Sequence, residues 1–500
     1  MRTKKASINA IINVLNYLIM MLPNFFIRKI FIETLGTQLL GLNSLYQNIV
    51  GFLCISELGL SLVISYALYD PIAKDDRKLI KGYIDYYTKF YIKVSCFIFI
   101  IGISITPFIS IFVNGYVKNM KLYFIMFLIN TCITYLFSAK FCLLSVSQEN
   151  YIITTVQTII NLLMTIVQII ILKYYPNYFL FILVQIVAKL IQMLILNYII
   201  SKKFSWLKKE NGYLEKFRIK DLYKTMKGLF FHKISAMVLF ATDNIVISSF
   251  LNLTTVANFG NYYLVISGVQ TIMIKIFDGV TASIGNLLTE KNRGKAYYIF
   301  DKLQFMAFVL TSSIAICVLN SVNIFITLWV GKEYLLDNVS IFLLVMNFYF
   351  LGMRLPIEKF KETSGIYHED RYWAVFQAVL NLIISIIMVN FIGLPGVFFG
   401  TFISNYSVEF WVKPRLVYKK VFKCELRKYF YDYLKYLCIF IGIFILSNSI
   451  TKLFYKETIA SFILINIITI LIISIVYWII FRKNSNFIYF KKIILKIDWL

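Results

Sequence analysis

Apolar runs of about 20 residues, the length a helix needs to cross a bilayer core, recur along almost the whole chain. Lipid offers the backbone no hydrogen-bond partner, so segments of this kind close their bonds internally as α-helix. About fourteen spans can be placed, roughly at 8–32, 41–68, 89–112, 121–143, 152–173, 178–200, 229–252, 259–284, 299–328, 339–358, 372–392, 396–413, 433–451 and 458–481. The sequence therefore predicts an all-α polytopic membrane protein. Composition agrees: of 500 residues, 59% are hydrophobic and 15% charged, a balance that excludes a soluble globular fold. The first run passes Pro23 and reaches Ile32 without a small-residue cleavage site, so it reads as a membrane helix rather than a leader.

The formal charge of +26 would suggest nucleic acid in a soluble chain. Its distribution argues otherwise. Loops on the N-terminal side hold about 34 Lys and Arg and the opposite loops about five, an asymmetry that places both termini in the cytoplasm. No nucleic-acid partner is expected; membrane lipids are. The outward loops are each under about ten residues, ordinary for helix connections and too short for an external catalytic domain.

The expected organisation is an N-terminal six-helix bundle over 1–200, a basic cytoplasmic linker over 201–228 and a second six-helix bundle over 229–413. Two additional spans and a basic tail follow over 414–500. The linker carries nine basic residues, which set topology and touch anionic headgroups. A shift of 215 residues places the span–turn–span–charged-loop pattern of the first half on that of the second, which suggests two parallel repeats with cargo between them.

Seven cysteines occur singly without a CxxC pair, and the two histidines, His232 and His368, are far apart in sequence. Neither a disulfide framework nor a metal site is expected. No G-x-x-x-x-G-K-[ST] loop occurs, so neither ATP hydrolysis nor any cofactor is expected. The chain reads as a transporter rather than an enzyme.

Ionisable residues nevertheless fall inside the spans: Glu57, Lys189, Asp243, Lys275, Asp278, Arg354, Glu358 and Glu409. Each costs at least roughly 2.5–3.5 kcal/mol at the bilayer centre unless it faces protein or water. Asp243 lies about 20 Å along its span and Lys275 about 24 Å along the next, at 1.5 Å per residue. Two readings stand. The basic residues line a wet cavity and hold an anion, with the carboxylates answering them or binding a coupling cation. Alternatively the charges pair internally, as the i,i+3 spacing of Lys275 with Asp278 and the i,i+4 spacing of Arg354 with Glu358 allow. Glu358 and Lys140, near helix ends, are expected to snorkel to the interface. Arg28 lies about 30 Å along a straight first helix, near its outer end; a kink at Pro23 would turn it inward.

The stretch Phe240 to Glu290 carries TDNIVIS (Thr242 to Ser248), Gly260-Asn261-Tyr262-Tyr263 and TASIGNLLTE (Thr281 to Glu290). With Arg28, Gly36, Gly41, SELGLS (Ser56 to Ser61) and ALYDPIAKDD (Ala67 to Asp76), it resembles the polysaccharide flippases. These belong to the multidrug, oligosaccharidyl-lipid and polysaccharide exporter superfamily. The resemblance implies a flippase for undecaprenyl-diphosphate-linked oligosaccharides in a bacterial cytoplasmic membrane, working by alternating access in O-antigen or capsule synthesis. Glycosyltransferases and a polymerase would act beside it. Related lipid-linked precursor flippases have a cationic cavity with basic residues on the first and eighth helices and a tail groove at the last two. By matching helix, this implies Arg28 and Lys275 as substrate ligands, and Arg354 joins them as a basic residue within a span. Glu57, Asp243, Asp278 and Glu409 are the cavity or ion-coupling candidates. A multidrug exporter of the same superfamily is the main alternative; a polymerase or transferase is disfavoured by the short outer loops.

Overall fold

The computed structural model describes residues 2–54, 60–113, 117–147, 149–223, 242–290, 292–366 and 369–489, with side chains except at 2–18, 20–22, 60–62, 66, 73, 282 and 289. Glu57, His232, His368 and most of SELGLS lie outside the described residues. The described residues are mostly helical, with no strand among them. In order come α1 (Arg2–Leu53), α2 (Leu60–Ala73), α3 (Arg77–Ile105), α4 (Met120–Ser138), α5 (Phe141–Val146), α6 (Asn150–Tyr174) and α7 (Tyr178–Lys203). After residues 242–250, here α8, follow α9 (Leu253–Thr289), α10 (Arg293–Trp329), α11 (Asn338–Thr363) and α12 (Arg371–Ile392). The series ends with α13 (Leu394–Ser404), α14 (Phe410–Val417), α15 (Arg427–Thr451) and α16 (Ile459–Phe481).

Among the described residues, 10 helices are long and apolar enough to cross a membrane. The four other expected spans are each divided or partly outside the description. The first two run together in α1, which leaves helical geometry at Gly36 (φ 81°, ψ 169°), a conformation that glycine adopts without steric cost. Pro23 lies inside α1, thirteen residues before this joint. The seventh span is described only as α8. The twelfth is split into α13, a π-helical turn at Asn405–Glu409, and α14.

Several helices overrun their apolar segments because good helix formers continue into the polar flanks. Helix α3 begins at Arg77, well before the apolar run, with Asp76 accepting from the Leu79 amide at 3.1 Å as its N-cap. The ALYDPIAKDD sequence thus ends α2 and starts α3.

The chain forms two compact units, residues 1–257 and 258–500. In the first, α1 packs on α6, α4 on α3 and α7, and α2 on α5. Its core includes Ile64, Leu68, Tyr87, Tyr91, Ile98 and Leu196. In the second, α10 is flanked by α11, α15 and α16, and α12 packs on α13. Polar side chains stitch these helices together, as expected where lipid removes the hydrophobic drive for association. Asn320 donates to Ser447 Oγ (3.0 Å) and Thr469 Oγ1 (3.1 Å), and Gln377 donates to Asn405 Oδ1 (2.8 Å). Phe308 stacks on Tyr436 with centroids 4.3 Å apart. The final two spans are therefore integrated into this unit by specific contacts, while Ile463, Ile467, Ile470 and Ile475 of α16 remain exposed.

Candidate functional site

Helix α11 carries five charges within about two and a half turns: Arg354, Glu358, Lys359, Lys361 and Glu362. At 3.6 residues per turn they divide onto different faces. Arg354 pairs with Glu358 one turn on, and Lys359 with Glu362. Each pair meets a different helix.

On the first face, Arg354 Nε lies 2.8 Å from Glu358 Oε1, and a guanidinium nitrogen also contacts Glu409. Lys413 closes the ring at 2.8 Å from Glu358 and 2.6 Å from Glu409. The π-helical turn ends at Glu409, and α14 then presents Lys413 one turn later on the same side. All four side chains are largely buried, and the ring sums to zero charge. The ring of Phe350 covers the Arg354 guanidinium at 5.3 Å, adding a cation–π contact. Glu358 does not snorkel to the interface, as its place near a helix end suggests it should. It instead lies between two cations, Arg354 and Lys413, which share its carboxylate in a buried setting. A second buried pair, Lys361 with Asp370, follows at the end of the helix.

On the other face, Lys359 lies 2.8 Å from Asp278 of α9 and 2.9 Å from Glu362. Asp278 also faces Lys275 one turn earlier on its own helix, but at 3.9 Å. The lysine side chains differ sharply in burial: Lys359 is 10% exposed and Lys275 54%. Asp278 is therefore held by the buried Lys359, while Lys275 is half open and only distantly engaged. Sequence reasoning missed Lys359 and Lys413. The i,i+4 spacing of Glu409 and Lys413 was the available signal, obscured because Lys413 falls at the expected end of its span.

In the first unit, the Arg28 guanidinium donates to the Ala257 carbonyl at 3.0 Å, so it is turned onto protein and half-buried. Asp243 of α8 is half-buried, and its Oδ1 is enclosed with no hydrogen-bond partner among the described residues. Lys189 reaches Gln192 Oε1 at 3.4 Å. The structure thus brings Arg354 together with Glu409, and Lys275 together with Asp278. In the Gly260-Asn261-Tyr262-Tyr263 segment, the first tyrosine serves packing. Tyr262 is fully buried, donates to Asn323 Oδ1 at 2.7 Å and accepts from the Leu336 amide at 3.3 Å.

No family model and no curated protein matches this chain. Solved structures do. A structure described as lipid II flippase MurJ in an inward closed conformation superposes with a TM-score of 0.68 at 15% identity, covering 95% of this chain and 98% of that one. An inward-facing multidrug resistance MATE family transporter of the MOP superfamily gives 0.58 at 14% identity, covering 80% and 95%. A MATE structure in a bent conformation gives 0.54 at 14% identity, covering 81% and 92%. At these identities the likeness concerns the fold alone, shared over nearly the full chain in the first case.

Proposed function

We propose that the chain is a flippase that moves an undecaprenyl-diphosphate-linked oligosaccharide from the cytoplasmic to the outer leaflet of a bacterial membrane by alternating access. Lys275 carries this reading. It places a positive charge deep in an apolar helix, half open, with its nearest carboxylate at 3.9 Å and already held by another lysine. A cation in that state can exchange a weak internal contact for a diphosphate oxygen without orphaning Asp278. The fold likeness to a structure described as a lipid II flippase supports a lipid-linked cargo.

The sugars and diphosphate need a wet route, while the polyprenyl chain stays in lipid against the exposed isoleucines of α16. Arg28 and Arg354 are secondary ligand candidates; Arg354 would first have to leave its buried ring. Asp243, with an enclosed and unbonded Oδ1, is the leading candidate for a coupling cation, ahead of Glu57, Asp278 and Glu409. Glycosyltransferases would supply the cargo and a polymerase would consume it, in O-antigen or capsule synthesis.

The second reading, multidrug export, has the MATE likeness in its favour. It calls for carboxylates open to an organic cation, whereas Asp278, Glu358 and Glu409 are each paired with lysine or arginine.

The test is genetic. Lys275→Ala should abolish surface polymer while membrane abundance stays near normal, and Lys275→Arg should retain part of the activity because the charge survives. Restoration of export by Lys275→Ala with Asp278→Ala would show that the lysine only neutralises its neighbour, and would overturn the ligand role.

A further inference from the structure

The described part of the basic linker, residues 201–223, is folded, and it builds a cavity. After α7, residues 205–223 turn back onto α3. Leu207 and Leu222 are buried in the core of the first unit. The Arg77 guanidinium lies 5.7 Å from the Trp206 ring, and Arg218 pairs with Glu215 at 3.5 Å. The backbones touch where Gly212 meets Gly82: a Cβ on Gly212 would lie 2.4 Å from the Gly82 nitrogen, so only glycine allows this approach. The wall so formed is a packed structure.

Between this wall and the ends of α3, α4 and α7 lies a cavity of about 550 Å³, lined in part by Lys81, Asp85, Lys140, Lys208 and Glu210. That volume falls in the range of small-molecule sites. Lys81 and Asp85 neutralise each other at 2.7 Å. Lys140 and Lys208 have no side-chain ion pair among the described residues, and Glu210 is the one remaining carboxylate among those lining groups. The cavity therefore keeps a positive surplus. Lys140 lies two residues beyond the apolar helix α4, and Ser201 ends the apolar part of α7. Such helix ends lie at headgroup level, where basic residues attract phosphate.

We propose that this cavity binds a phosphoryl anion, with Lys140 and Lys208 as its ligands, and that an anionic phospholipid headgroup supplies it. The site is independent of the cargo proposed above. It would fasten the linker to the membrane surface through a specific lipid.

The full-length protein would be placed in nanodiscs of phosphatidylcholine with phosphatidylglycerol, or of phosphatidylcholine alone with inorganic phosphate added. Native mass spectrometry would count retained lipid, and hydrogen exchange would follow residues 204–215. Lys140→Ala with Lys208→Ala should weaken phosphatidylglycerol retention about fivefold per lysine, on the order of 25-fold together. Lys140→Arg with Lys208→Arg should keep it, and Glu210→Gln should raise it. Lys216→Ala with Lys220→Ala, an equal charge change on exposed linker positions, should stay near the parent. Protection by inorganic phosphate without phosphatidylglycerol, lost in the alanine pair, would support the same site with a soluble ligand. Equal loss in the cavity and control pairs, or protection by neither phosphatidylglycerol nor phosphate, would overturn the proposal.

Discussion

Two charge clusters lie on different faces of α11, and both are formally neutral. The ring of Arg354, Glu358, Lys413 and Glu409 is closed: every member has two opposite partners and little solvent. The cluster of Lys275, Asp278, Lys359 and Glu362 is open: Lys359 is buried between two carboxylates, while Lys275 is half exposed at the end of the line. Equal charge sums therefore conceal different roles. A closed ring in a low-dielectric setting fixes the packing of three segments, since each ion depends on the others for the solvation it has lost. An open end leaves one charge available. Depth in the sequence alone does not separate these cases.

The largest effect should come from breaking the closed ring. Arg354→Ala leaves two carboxylates to share Lys413, and loss of one partner from a buried pair typically costs about 3–5 kcal/mol. The thermal midpoint of the purified protein should fall sharply, with reduced abundance in the membrane. A variant that kept normal stability but lost export would instead make Arg354 a cargo ligand.

Lys359→Ala should cost less, about 1–3 kcal/mol, because Asp278 and Glu362 are each around two-fifths exposed and partly solvated. Its second consequence is more telling. With Lys359 gone, Asp278 is free to draw Lys275 inward, so export should fall although Lys275 is intact. Unchanged export in a stable Lys359→Ala protein would sever the link between the two lysines.

The smallest stability change is expected at Lys275 itself. A half-exposed ion pair is worth about 0–1 kcal/mol, so Lys275→Ala should barely move the thermal midpoint. Cysteine chemistry sharpens the same contrast. Lys275→Cys should react with a small water-soluble thiol reagent and Glu409→Cys should not, with the single-cysteine background set by replacing the seven native cysteines. Equal reactivity at both positions would erase the distinction between the open and closed clusters.

The sequence by itself determined the all-helical membrane architecture and showed which charges fall inside apolar runs. Both follow from local rules: apolar runs of fixed length must become helix in lipid, and a charge within such a run is visible at once. The pairing of Arg354 with Glu358 was also legible, because four residues apart on a helix is a contact. Partners between helices were not. Asp278 finds Lys359 on α11, and Arg354 finds Glu409 beyond a π-helical turn, through contacts that depend on helix rotation and crossing. The joint at Gly36 was not read from the sequence, although a glycine, where a positive φ costs nothing, was the available signal. The linker shows the same outside the apolar runs, since its basic composition gave no sign that Gly212 would seat on Gly82 and enclose a cavity. Periodicity and length act within one segment; which charges meet, and which stays open, is decided when segments pack.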